Sequence, residues 1–207
     1  MGSARRIGDS LLNGTIEYYE RNAERFFRDT VDVDMSELYR HFLPHVPLGG
    51  RILDAGCGSG RDTRHFLQRG FQVEAFDASA EMCRLATKLT GTTVELKTFD
   101  QVDSVAVFDA VWACASLLHI CRNNIDDVLA KLTRALKPNG IMFASFKLRD
   151  GEWEKGGRDF NGYDERSFRL LMAKHPSLAV QSTWVSDDVR PSRSGENWLN
   201  VLLRKLG

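Results

Sequence analysis

Residues 51–60 read Arg51-Ile-Leu-Asp54-Ala-Gly56-Cys-Gly58-Ser-Gly60, and the fold follows from this run. A short apolar stretch ends in Asp54, and glycine then occupies every second position. Apolar residues running straight into alternating glycines describe a buried strand that ends in a tight turn. Glycine allows backbone angles and close approaches that a side chain forbids. A helical pattern starts near Arg61, so a ligand at the turn meets the free N–H groups of a helix start. An α/β sheet holds nucleotide-like ligands at this place, just outside the carboxyl ends of its strands.

The spacing then selects among nucleotides. A dinucleotide turn has the pattern G-x-G-x-x-G, but counting from Gly56 its third glycine position is held by Arg61. Farther on, Phe71-Gln-Val-Glu-Ala-Phe-Asp77 reads as a second strand closed by an acid. A carboxylate there can accept hydrogen bonds from both hydroxyls of a ribose. Led by Asp54, the pattern D-x-G-x-G-x-G resembles motif I of the class I S-adenosylmethionine-dependent methyltransferases, small stand-alone members included.

Outside these motifs, β and α signals alternate. Helical spacing covers 15–29 and 35–43, then 61–69, 80–89 with Ser79 as cap, and 126–136, which stops at a Lys137-Pro-Asn-Gly140 breaker. Extended patterns cover 93–99, 107–114 and 141–146. Such alternation predicts an α/β, Rossmann-like doubly wound sheet, mostly parallel, with helices on both faces. After a helix at 164–174, two extended runs at 178–185 and 198–203 have only a polar turn between them. They predict a hairpin and an antiparallel last strand, which gives the seven strands of the family's sheet. The expected organisation is one domain over 1–207: a helical segment 1–48, a cofactor-binding core 49–147, and a substrate-side segment with the hairpin at 148–207.

Composition narrows the partners. The chain has 207 residues, 43% of them apolar, and 28 basic residues balance 28 acidic ones. Nucleic-acid binders carry a basic excess or stripe, so nucleic acid is disfavoured and a small-molecule partner is expected. No apolar run approaches the roughly 20 residues of a membrane span, and Met1-Gly-Ser-Ala-Arg-Arg lacks a signal core. Cys57, Cys83, Cys114 and Cys121 show no C-x-x-C spacing, which predicts reduced thiols, a cytoplasmic protein and no metal. Oligomeric state leaves no trace in the sequence.

The resemblance assigns candidate roles, each beside a plainer one. It implies S-adenosylmethionine as cofactor. Gly56, Gly58, Ser59 and Gly60 would line its methionine end, with Asp54 reaching the amino group. Asp77 would hold the ribose, with Ala78 beside it, or simply cap the next helix. Met82 either packs on the adenine or belongs to the core. Asp100 and the Gln101 backbone would take the adenine amine, or Asp100 is an ordinary turn residue.

Phe108-Asp-Ala-Val-Trp-Ala-Cys114-Ala-Ser-Leu-Leu-His119 resembles the family's motif IV, placing Cys114 against the adenosine. Asn-Pro-Pro-Tyr is absent, which removes support for methylation of a DNA base amine. His119 is the catalytic candidate, a neutral imidazole able to take a proton from an attacking hydroxyl or amine, or else a packed structural histidine. Tyr19, on a helix resembling the family's lid, is expected over the methionine carboxylate, ahead of Tyr18, or both tyrosines simply pack the helix down. The mixed charge and aromatics of 147–163 suit a small polar or amphiphilic acceptor, or belong to a solvated loop, and Arg190 and Arg193 are expected near the substrate mouth.

The expected function is methyl transfer from S-adenosylmethionine to a small molecule. The alternatives are a tRNA or protein methyltransferase that works with a partner, and a non-catalytic cofactor-binding module. A nicotinamide oxidoreductase is disfavoured by the misplaced glycine.

Overall fold

A computed structural model describes residues 7–190, 193 and 195–207, with side chains from residue 14 onward. The N-terminal hexapeptide read for a signal lies outside them.

Seven strands form one sheet in the order β3-β2-β1-β4-β5-β9-β8. They are β1 (Arg51–Ala55), β2 (Gln72–Asp77), β3 (Val94–Leu96), β4 (Phe108–Ala113), β5 (Leu136–Lys147), β8 (Leu178–Asp187) and β9 (Asn197–Lys205). β1 runs parallel to β2 and β4, β2 to β3, and β4 to β5. The last strand, β9, is antiparallel to both β5 and β8, as the tail pattern predicts. The helices are α1 (Ile7–Thr30), α2 (Ser36–Phe42), α3 (Arg61–Gln68), α4 (Ala80–Thr90), α5 (Arg122–Ala135) and α6 (Glu165–Met172). Among the described residues no helix is long and apolar enough to cross a membrane.

Strand order reverses between β1 and β4, because the chain builds outward to β3 and then returns to the other side of β1. Their carboxyl ends therefore diverge, and a crevice opens at this switch point. Alternate residues fix both faces. Ile52, Ala110, Trp112 and Phe143 pack with Phe66 on one side, while Leu53, Val111 and Met142 pack with α5 residues such as Leu129 on the other. A sheet covered on both faces can afford the near-continuous apolar runs seen in β4 and β5.

Four local expectations need correction. The strand expected over 93–99 ends at Leu96, since Thr98 opens a short 3₁₀ turn in which its N–H bonds the Gln101 side chain. The helix expected from 126 begins at Arg122. Lys137–Gly140 is no loop: β5 already starts at Leu136, paired with Phe108, and the irregularity is absorbed as a register shift with Asn139 at φ +63°. Finally, the segment after β5 is ordered as a two-stranded hairpin, β6 (Gly151–Glu154) and β7 (Asp159–Gly162).

Candidate active site

A cavity of about 790 Å³ opens at the carboxyl ends of β1, β2 and β4, under α1 and beside the β6–β7 hairpin. Its first wall is the glycine turn. Gly56 sits at φ +77°, and a Cβ there would fall 2.6 Å from the Ser116 Cβ, so only glycine fits between the two loops. Gly56 and Cys57 donate their N–H groups to the Phe76 carbonyl, each at 3.0 Å. Gly58 donates to Asp77 Oδ2 at 2.9 Å, and Ser79 N–H reaches Asp77 Oδ1 at 3.0 Å. The acid closing β2 is thus bonded to the turn closing β1. Burial pushes the Asp77 carboxyl up, and these N–H groups oppose the rise.

Gly56, Gly58, Ser59, Asp77, Ala78, Asp100, Cys114, Tyr19 and His119 all line the cavity. Arg190 and Arg193 line it as well, whereas Asp54, Gly60, Met82 and Gln101 do not. Asp54 is buried and accepts from Thr63 Oγ1 at 2.6 Å. Gly60 caps α3 at φ +76°, where a Cβ would meet the Ala86 Cβ at 2.9 Å, so it serves helix packing. Met82 is fully buried with Ala23 and Leu85 beneath α1, in the core rather than on an adenine face. Gln101 already gives its N–H to the Thr98 carbonyl, and its side chain closes the same turn. Cys114 stays a thiol, since burial and then the charge of Asp62 raise it to about 12.

The second wall is made of side chains from distant segments. His119 Nδ1 donates to the Asp159 carbonyl at 2.7 Å. That fixes Nε2 as the acceptor for the Tyr19 hydroxyl at 3.0 Å. Burial lowers the ring to about 4, so His119 is neutral at pH 7 with both nitrogens engaged. Burial raises the Tyr19 phenol, while the nearby Arg158 charge pulls it back. Arg158 itself lies 4.4 Å from the Tyr18 ring centroid and 5.2 Å from that of Phe160. α1 touches both walls: Thr15 Oγ1 accepts from Asp159 N–H at 2.9 Å, and Glu20 Oε1 accepts from Ala80 N–H at 2.5 Å at the start of α4.

A buried polar cluster went unread in the sequence. Asp62 accepts from Tyr39 Oη (2.5 Å), Arg61 Nε and Nη2 (2.6 and 2.9 Å) and Trp112 Nε1 (2.8 Å). Burial pushes its carboxyl up, but Arg61 and the donors outweigh this and hold it below the usual range. The available signal was an Arg-Asp pair at the first turn of α3, where a charged pair would otherwise be exposed.

Residues 52–140 match the family model described as a methyltransferase domain. An uncharacterized methyltransferase of Geobacillus kaustophilus, GK2543, is 32% identical over 148 residues, covering 69% of this chain and 68% of that protein. The chain belongs to the class I S-adenosylmethionine-dependent methyltransferases. Another relative in this family, the 2-methyl-6-phytyl-1,4-hydroquinone methyltransferase of Synechocystis, is 29% identical over 64% of this chain. The chain spans about half the length of several curated relatives it matches, 45% in that case. The methyltransferase fold extends over the whole chain. A crystal structure of Burkholderia thailandensis 1,6-didemethyltoxoflavin-N1-methyltransferase, with its substrate and S-adenosylhomocysteine, superposes at TM-score 0.79 and 20% identity. It covers 100% of this chain and 94% of that one.

Proposed function

We propose that this methyltransferase moves a methyl group from S-adenosylmethionine to a small-molecule acceptor. One observation carries the reading: the Gly58–Asp77 hydrogen bond sets the glycine turn and the strand-end acid on a single cavity wall. The residues there fit the cofactor. Each Asp77 oxygen takes one backbone N–H, which leaves lone pairs for two ribose hydroxyls. Phe99 and the exposed Asp100, at the edge of the same wall, offer an apolar face and an acceptor suited to an aminopurine. Arg61 spends Nε and Nη2 on Asp62, and its remaining nitrogen suits an amino-acid carboxylate.

Once bound, the cofactor supplies an electrophilic methyl on a sulfonium, so the protein's main task is alignment, worth roughly 7–11 kcal/mol when good. Tyr19 and His119 hold one side of that alignment. With its lowered pKa, His119 is too weak a base to keep a proton at neutral pH. It acts as a positioning residue that fixes the Tyr19 hydroxyl. An acceptor already ionised, or soft, suits such a site.

A small acceptor is supported by the balanced charge, by a relative named for a hydroquinone, and by a structural neighbour named for 1,6-didemethyltoxoflavin. The four cysteines carry no disulfide, which suits the reducing cytoplasm. We take the chain as one unit, with α1 and α2 covering the core and the hairpin side facing the acceptor. The test is calorimetry with S-adenosylhomocysteine, followed by transfer of labelled methyl to small-molecule pools and to tRNA. Binding with label in small molecules is expected. No binding overturns the cofactor reading, and label confined to tRNA overturns the acceptor class.

A further inference from the structure

Resting on that reading, we propose that Arg158 holds a carboxylate, or an oxyanion of similar shape, carried by the methyl acceptor. Arg158 is 8% exposed, lines the cavity, and its buried Nε has no hydrogen-bond partner. Its guanidinium acts on the Tyr19 hydroxyl through its charge and a hydrogen bond, but among the described residues no carboxylate lies within 4 Å of it. A guanidinium stays charged under all ordinary conditions and presents a planar fork of donors. Burying such a charge without a counter-ion is costly. The Tyr18 and Phe160 rings offset part of that cost by cation–π attraction, but they leave the Nε–H without an acceptor and the charge without a counter-ion.

The remaining cations of the wall show why this one stands apart. Arg61 is paired with Asp62, Lys97 with Glu95, and Arg193 with Glu196. Lys147 lies between Asp188 and Glu196, and Arg190 is doubly bonded to Asp188. Lys131 has no acidic partner among the described residues, but it is half-exposed and therefore hydrated. Among the described cations of the cavity only Arg158 is both buried and without a carboxylate partner.

Its place in the fold assigns the anion to the acceptor. The cofactor wall is formed at the ends of β1 and β2, whereas Arg158 enters from the β6–β7 turn, against the Tyr18–Tyr19 stretch of α1 and close to His119. A planar carboxylate received by the fork would make two charge-assisted bonds and fix the acceptor's orientation from one end.

The test uses the full chain saturated with S-adenosylhomocysteine and two probes of equal shape, benzoate and benzamide, followed by NMR titration. Benzoate is expected to bind at least about tenfold tighter than benzamide. Arg158→Gln should abolish that difference while leaving S-adenosylhomocysteine affinity within about twofold, and Arg158→Lys should keep part of it. Equal binding of the two probes by the unmodified protein overturns the proposal, as does a benzoate preference that survives in Arg158→Gln. A tenfold or greater loss of S-adenosylhomocysteine affinity in Arg158→Gln also overturns it, because the arginine would then serve the cofactor's carboxylate. Should Arg158→Gln fail to fold, the unmodified protein and Arg158→Lys decide. Failure to bind S-adenosylhomocysteine at all would refute the cofactor reading instead.

Discussion

The cavity has two walls built on different principles. On the side proposed for the cofactor, main-chain groups do the positioning: Gly56, Cys57 and Gly58 donate their N–H groups to Phe76 and Asp77, and two short strand-to-helix turns supply almost everything. On the acceptor side, side chains do it. Tyr19, His119, Arg158 and the Asp159 carbonyl come from α1, the turn after β4, and the β6–β7 hairpin; Tyr19 is 100 residues from His119, and His119 is 40 from Asp159. The first wall depends on backbone conformations that only particular residues allow. The second depends on long-range packing that brings a few exchangeable side chains together. A scaffold of this kind can keep its cofactor while changing what it methylates.

The largest expected effect lies on the acceptor wall. Burial holds His119 at about 4 in the folded protein, against an ordinary 6.5. Above pH 6.5 both folded and unfolded chains carry it neutral, and stability is unaffected. As pH falls from 6.5 toward 4, the unfolded chain binds a proton that the folded chain refuses, so stability is lost, by at most about 3 kcal/mol. Urea unfolding across this range should show the decline, and His119→Gln should flatten it. An unchanged slope in the variant would mean that the ring protonates in place, and the positioning role would fail.

Next comes the cofactor wall. Asp77→Ala should weaken S-adenosylhomocysteine binding by about 1.5–3 kcal/mol, the scale of hydrogen bonds to a charged group. Calorimetry reads it directly, and unchanged affinity would remove the ribose assignment and with it the contrast between the walls. The smallest effect belongs just outside that wall. Gln101→Ala should leave cofactor affinity unchanged and lower stability by about 0.5 kcal/mol, the low end for a lost cap, because its side chain serves only the Thr98 turn. A clear loss of affinity would extend the cofactor wall one residue farther than the geometry places it.

The same division explains what could be read from the sequence. Alternating glycines and a strand-end acid imprint local backbone demands on residue identity, so the turn and Asp77 were legible, as was the Ser79 cap, whose Oγ accepts from Met82 N–H. The mostly parallel sheet and the antiparallel β9 followed from element rhythm, but the strand order did not. Legibility ended where a residue's role depends on a distant surface. Met82 and Gly60 lie in the right stretch, but α1 and α4 claim them for packing. Asp54 is turned inward by Thr63. Tyr19 and His119 were each singled out, yet nothing local says that one hydroxyl and one imidazole bond each other. The hairpin carrying Arg158 has short, half-polar strands whose alternation is too brief to register.

One helix, α1, is fastened at Thr15 to the hairpin and at Glu20 to the start of α4. Displacing it would break a bond to the hairpin and a bond to α4 together, so this one helix ties the two halves of the cavity into a single mechanical piece.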